Sequence, residues 1–219
     1  MTTRRSPSSG KGGPAPSRLP RGEVARLQQE LAREVAVRDR LFEMGRSLRR
    51  ASQDLMRSIH AGSASTSALE KLEAQARRFL AEPGDLSLGD EALQEYAEAR
   101  LLWAIRQGFE LPSAKELGLR AGPYLGGLAD VVGEVRRLTL EELARGEVSR
   151  AEERLRLMEE LYHTLMQFEA PRGVLALKPK QDSARALVER TRSDVVLARV
   201  LSRAGAGLAL GVPRREEQD

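Results

Sequence analysis

Glu95 and Glu98 in the run LQEYAEA, and Asp130 and Glu134 in the run LADVVGE, are the residues of this chain whose type and spacing could do chemistry. Four carboxylates with no cysteine or histidine partner form an oxygen donor set, which hard divalent cations such as Mg2+ or Mn2+ prefer. A cation held in this way can orient a phosphodiester, activate a water and neutralise charge on a leaving oxygen. Glu95, Glu98, Leu102 and Ile105 follow one another at steps of three and four and therefore share one helical face. An ionised carboxylate in such a seam needs a partner or a metal, because burying it alone is costly. Asp130 and Glu134 lie four apart on a helix side that also carries Gly126, Gly127 and Gly133. A glycine inside a helix costs about 1 kcal/mol relative to alanine, so three of them beside two acids imply a close approach by a ligand, a cation or another helix. Spacing alone also fits a solvated, ion-paired face, with Arg100, Arg136 and Arg137 as neutralising neighbours.

Other chemistries have less support. The two histidines are His60, at a helix end, and His163, beside Tyr162 on an amphipathic helix. Neither stands in a nucleophile pattern. There is no Walker loop, GxGxxG precedes no strand, and GAGLALG from Gly205 to Gly211 is a loose glycine cluster. The absence of cysteine excludes disulfides, thiolate metal sites and cysteine nucleophiles. No apolar run approaches the length of a membrane span and no signal-peptide core appears, so the expectation is a cytoplasmic protein without membrane partners.

The elements that must position these residues read as helices. Residues 1–22 are rich in Pro, Gly and Ser and predict a disordered leader. From Glu23 the positions Val24, Leu27, Leu31, Val35, Phe42, Leu48, Leu55 and Ile59 predict one long amphipathic helix ending near Ala61 and Gly62. The Ser63 to Ser67 cluster offers N-caps for a second helix, closed by Pro83 and Gly84. A third helix follows Asp90 and carries the first acids to Gly108. After a short turn from Pro112 to Leu117, Gly122 and Pro123 open the helix of Asp130 and Glu134. Gly146 precedes a fifth helix, and a last one is predicted from Asp182 to Ser202. No strand-like alternation occurs, so the predicted fold class is all-α. The expected organisation is a basic tail over 1–22, a helical domain over 23–205 and a flexible tail over 206–219.

The net charge of +4 belongs to the leader: residues 1–22 hold Arg4, Arg5, Lys11, Arg18 and Arg21 and no acid, and subtracting these five leaves the body at −1. Such a tail attracts polyanions without sequence specificity.

The stretch PYLGGLADVVGEVRRLTLEELARGEVSRAEERLRLMEELY, followed by KPKQDSARALVERTRSDV, resembles the translin and Trax family in order and spacing, and LQEYAEA resembles the corresponding stretch of Trax. The resemblance runs from about Leu86 to Gly205 and more loosely over the first long helix. It implies a seven-helix translin-like bundle assembling into a hollow homo-octamer that handles single-stranded RNA, with single-stranded DNA as a further partner. In Trax-type members interior acids support Mg2+-dependent endonucleolytic cleavage, and those acids carry over to Glu95, Glu98, Asp130 and Glu134. The translin branch has basic or aromatic residues where this chain has LQEYAEA, so the chain looks Trax-like, as in prokaryotic relatives with a single subunit type. The basic leader departs from the family pattern. Some members work only with a second kind of subunit, so this chain alone would have to supply both binding and cutting. Arg100, Arg106 and Arg120 flank the acidic elements and are the candidate nucleic-acid contacts. Tyr96 and Trp103 share a face opposite the acids and are expected to pack.

Three readings follow. The first is a metal-dependent endoribonuclease with the four acids as both metal ligands and catalytic residues. The second is a non-catalytic oligomeric binder of single-stranded RNA or DNA of the translin type. The third is a helical scaffold that binds no nucleic acid.

Overall fold

Leu41, Leu48, Leu55 and Ile59 recur at steps of seven and four and are all buried, which puts one edge of the first helix, α1 (Glu23–His60), against the core. In the computed structural model, which describes residues 19, 20, 22–171 and 175–210 (of 205–210 the backbone only), α1 is followed by α2 (Thr66–Leu80), a 3-10 turn (Leu86–Gly89), α3 (Asp90–Gln107), α4 (Ala121–Ala144), α5 (Val148–Leu165) and α6 (Leu177–Leu210). Among the described residues there are six α-helices and one short 3-10 turn, and no strand. The fold is all-α, as the periodicity predicts. Most of the basic leader and the final residues 211–219 lie outside the described residues.

The helix ends follow from local chemistry. Ser65 caps α2, its hydroxyl accepting from the Ala68 amide at 3.2 Å. Gly108 ends α3 in the left-handed region at φ 73°, where a side chain would be strained. The last helix is longer than predicted at both ends. Pro179 sits in its first turn, where no amide hydrogen is required, so α6 begins before the proline instead of after it. Gln181 fixes that turn by donating to the carbonyls of Leu165, at 2.8 Å, and Phe168, at 3.0 Å. At the other end the helical backbone continues through Gly205 to Leu210.

α4 is the central element, packing on α3, α5 and α6, while α3 also packs on α1. Leu93, Ala97 and Leu101 of α3 meet Val131, Val132, Val135 and Leu138 of α4 in one continuous core that includes Phe79 and Met158. Tyr96 and Trp103 are buried there, as expected of packing residues.

The glycines of α4 have an identifiable neighbour: another helix. A Cβ on Gly127 would stand 2.6 Å from the Ala97 Cβ and 2.7 Å from the Gln94 carbonyl oxygen, so glycine lets α4 touch the α3 backbone. Gly126 faces the Gln94 side chain in the same way. Gly133 does not share this role: its nearest neighbour would be Leu187 at 3.8 Å, an ordinary contact. The expectation that all three glycines mark a close approach is therefore corrected at Gly133.

Not every apolar position of α1 is buried. Val24, Leu27, Leu31 and Val35 are exposed, and so are Val196, Leu197, Val200 and Leu201 of α6. Among the described residues these stripes have no covering partner.

Candidate functional site

The close contact of α3 with α4 brings the four acids to one region, since Gly127 packs on the residues between Gln94 and Glu98. All four are partly buried. Three of them carry their own partners. Glu95 receives Arg49 Nε at 2.7 Å and the Gln53 side-chain amide at 2.9 Å. Asp130 is held by Gln94 Nε2 at 2.6 Å on one oxygen and by Lys180 Nζ at 2.6 Å on the other. Glu134 bonds His60 Nε2 in a short contact, and Glu141 lies 3.6 Å from the other imidazole nitrogen.

Glu98 differs from these three. Burial raises its pKa first, and the negative charges of Asp130, Glu134 and Glu95 raise it further, against a smaller opposing pull from Lys180; together they push it up to about 8 from 4.5. The shift is large because Glu98 is poorly solvated and the charges of three nearby carboxylates add to that effect.

Several polar partners were not legible as site residues. His60 is not at a frayed end: its imidazole is 3 % exposed, held between Glu134 and Glu141 of α4. Arg49, Gln53 and His60 follow one another at steps of four and seven, a polar stripe beside the buried Leu48–Leu55–Ile59 edge. That spacing was the available signal. Lys180 was hidden behind Pro179, where a helix start was not expected.

The arginines proposed to neutralise the acids do something else. Arg136 pairs with Asp194 at 3.0 Å and donates to Thr191, Arg137 faces Glu141 at 3.6 Å, and Arg100 faces Glu73 of α2 at 3.1 Å. The three candidate nucleic-acid arginines are not gathered. Arg100 is turned to α2 and lines a cavity of about 560 Å³ with Tyr96 and Lys115. Arg106 lies exposed beyond the buried Ile105 at the end of α3, and Arg120 pairs with Asp90 at the start of α4. His163 is exposed on α5.

The donor chemistry fits a hard cation, since four carboxylates on adjacent helices leave Glu98 destabilised by its neighbours' negative charge. The side chains are not arranged as a finished ligand set. Among the described residues no three His, Asp or Glu groups lie close enough to share an ion in this conformation. The positive charges beside Glu95, Asp130 and Glu134 are Arg49, Lys180 and His60 when protonated, so a cation would have to compete with them.

No protein-family model matches the chain. It is similar to an uncharacterized protein of Methanocaldococcus jannaschii, 32 % identical over 181 residues, which span 80 % of this chain and 82 % of that one. Among solved structures, AfC3PO superimposes with a TM-score of 0.71 at 31 % identity over 81 % of this chain and 97 % of its own. AfC3PO in complex with duplex RNA gives 0.70 at 30 % identity, with the same coverage. The C3PO complexes are of the translin/Trax type. The chain belongs to the translin/Trax family. Apo-NeC3PO, 24 % identical, shares the fold with a TM-score of 0.73 over 84 % of this chain and 100 % of that one. LQEYAEA and LADVVGE thus lie on the third and fourth α-helices of a translin/Trax fold, and the family resemblance read from them holds. Among the described residues no helix of this family member is long and apolar enough to cross a membrane.

Proposed function

We propose that this translin/Trax protein is an Mg2+- or Mn2+-dependent endoribonuclease that cuts single-stranded RNA inside a closed homo-octameric shell in the cytoplasm. The observation that carries the reading is Glu98, a partly buried carboxyl whose pKa is raised by burial and by the nearby negative charges of Asp130, Glu134 and Glu95. Glu95, Glu98, Asp130 and Glu134 would hold the ion. When bound, it supplies an activated water and charge neutralisation at the phosphodiester. The chain's own residues set the frame for this: Gln53 and Gln94 orient Glu95 and Asp130, and His60 holds Glu134. RNA as the polymer is supported by the AfC3PO relative, whose complex contains duplex RNA. The exposed apolar stripes on α1 and α6 support assembly.

The test is incubation of the purified protein with labelled single-stranded and duplex RNA in Mg2+, Mn2+ or EDTA, beside Glu98→Ala and Asp130→Ala. Metal-dependent cleavage of the single strand should vanish in both variants while their mass and helicity stay those of the wild type. Undiminished cutting by either variant, with contaminating nuclease excluded, would remove its acid from the reading.

One observation favours a second reading. Glu95 and Asp130 already have full positive partners and Glu134 has His60, so the acids can be structural in a non-catalytic binder of single-stranded RNA or DNA. Salt-dependent RNA binding with no cleavage product in any divalent metal would decide for it.

A further inference from the structure

Asp130 presents one oxygen to Gln94 and the other to Lys180, and this second pair fronts an open cleft of about 320 Å³ completed by Ala129, Pro179, Ser183, Ala184 and Leu187. The other two cationic partners each face two acids. Arg49 is shared between Glu95 and Glu91, and His60 is enclosed by Glu134 and Glu141. Lys180 has Asp130 as its single anionic partner among the described residues, and its side chain remains 26 % exposed. Its backbone is nonetheless fixed, because the adjacent Gln181 ties the first turn of α6 to the carbonyls of Leu165 and Phe168. The result is a partly exposed ammonium on a fixed turn of helix, beside Asp130. A lysine head on a four-carbon stem can change partners without any movement of the helix that bears it.

We infer that Lys180 is an exchangeable counter-ion: it neutralises Asp130 until a divalent cation binds there, and the displaced ammonium then takes an RNA phosphate in the cleft. The inference rests on the proposed metal-dependent reading and adds to it a residue that couples cation binding to RNA binding. Two cations at one carboxylate repel each other, so an ion at Asp130 weakens the hold of that carboxylate on the ammonium. A phosphodiester arriving in the cleft brings the negative charge that the released ammonium lacks. The positive end of the α6 helix dipole lies at the same turn and favours the same anion.

Calorimetry with MnCl2 on the full-length wild type, Lys180→Met and Lys180→Arg tests the first half. Methionine keeps the apolar stem and removes the charge, so K180M should bind Mn2+ about fivefold to tenfold more tightly, with K180R near the wild type. A merely structural lysine would leave Mn2+ affinity unchanged or weaken it on removal. The second half is read from binding of a non-cleavable 2′-O-methyl single-stranded RNA, with and without Mn2+. Mn2+ should increase RNA affinity in the wild type, less in K180M, and nearly fully in K180R. Unchanged or weaker Mn2+ binding by K180M, or an undiminished Mn2+-dependent gain in RNA affinity, would overturn the inference alone, leaving the metal reading in place. No heat of Mn2+ binding in either the wild type or K180M would overturn both.

Discussion

Glu98 is held in its protonated form by burial and by the charges of Asp130, Glu134 and Glu95, which puts its pKa at about 8. Between the ordinary value of 4.5 and about 8 the folded chain therefore binds one proton more than the unfolded chain at this position. The sign is the reverse of a salt-bridged acid: this contribution to stability is present at low pH and is lost as pH rises through the window. In EDTA, denaturant unfolding should show stability declining from about pH 5 to about pH 8, and Glu98→Gln should flatten that decline. Equal slopes in the two proteins would disprove the assignment. The same proton must leave before Glu98 can ligate an ion, so wild-type Mn2+ affinity should climb across the window. His60 acts at the same scale. His60→Ala would leave the partly buried Glu134 without its hydrogen-bond partner, at a cost of about 1–3 kcal/mol. Denaturant midpoints measure this, and an unchanged midpoint would show that the imidazole only fills space.

At the level of elements, the contact between α3 and α4 sets the distance between the two acid pairs, and one glycine sets that contact. Gly127→Ala puts a methyl group 2.8 Å from the Glu98 amide nitrogen as well as against Ala97, so the helices must separate. Overpacking of this kind costs about 1–3 kcal/mol, and here it should also weaken Mn2+ binding by displacing Glu98 from Asp130. Gly133→Ala is the control. With its nearest neighbour at 3.8 Å, the added methyl fits and should stabilise the helix by about 0.5–1 kcal/mol without altering Mn2+ affinity. Thermal unfolding and calorimetry of the pair check both signs. These elements also show what could be read from the chain alone. The helices were legible because apolar positions such as Leu41, Leu48 and Leu55 repeat at helical spacing and because Ser65, Gly108 and Gly146 mark ends chemically. The acids were legible because their position beside an apolar seam is costly. Their partners were not: Lys180, Arg49 and His60 reach the acids from α1 and α6, and which surface polar residue meets which acid depends on helix packing that local periodicity does not contain.

On the whole molecule, the unburied apolar stripes are the strongest statement of incompleteness. Leu27, Leu31 and Val35 on the outer half of α1 repeat at steps of four, and Leu197, Val200 and Leu201 line the outer part of α6. Fully burying a leucine is worth about 1.5–3 kcal/mol, so two such stripes are enough to drive association. A closed shell needs each subunit to bind neighbours through at least two different surfaces. The stripes meet that requirement if α1 serves one contact and α6 the other. Leu27→Glu with Leu31→Glu should then leave a small open assembly, Val200→Glu with Leu201→Glu a different one, and the four changes together a monomer. Light scattering coupled to size exclusion reads each mass. All of these variants should keep wild-type helicity, because none of the substituted residues belongs to the core that begins at Leu41. If the acids act on enclosed RNA, retention and cleavage of single strands fall together with mass while Mn2+ binding per chain persists. Wild-type mass in the four-fold variant would show that other surfaces build the shell. Full cleavage by the monomer would show that enclosure is not part of the chemistry.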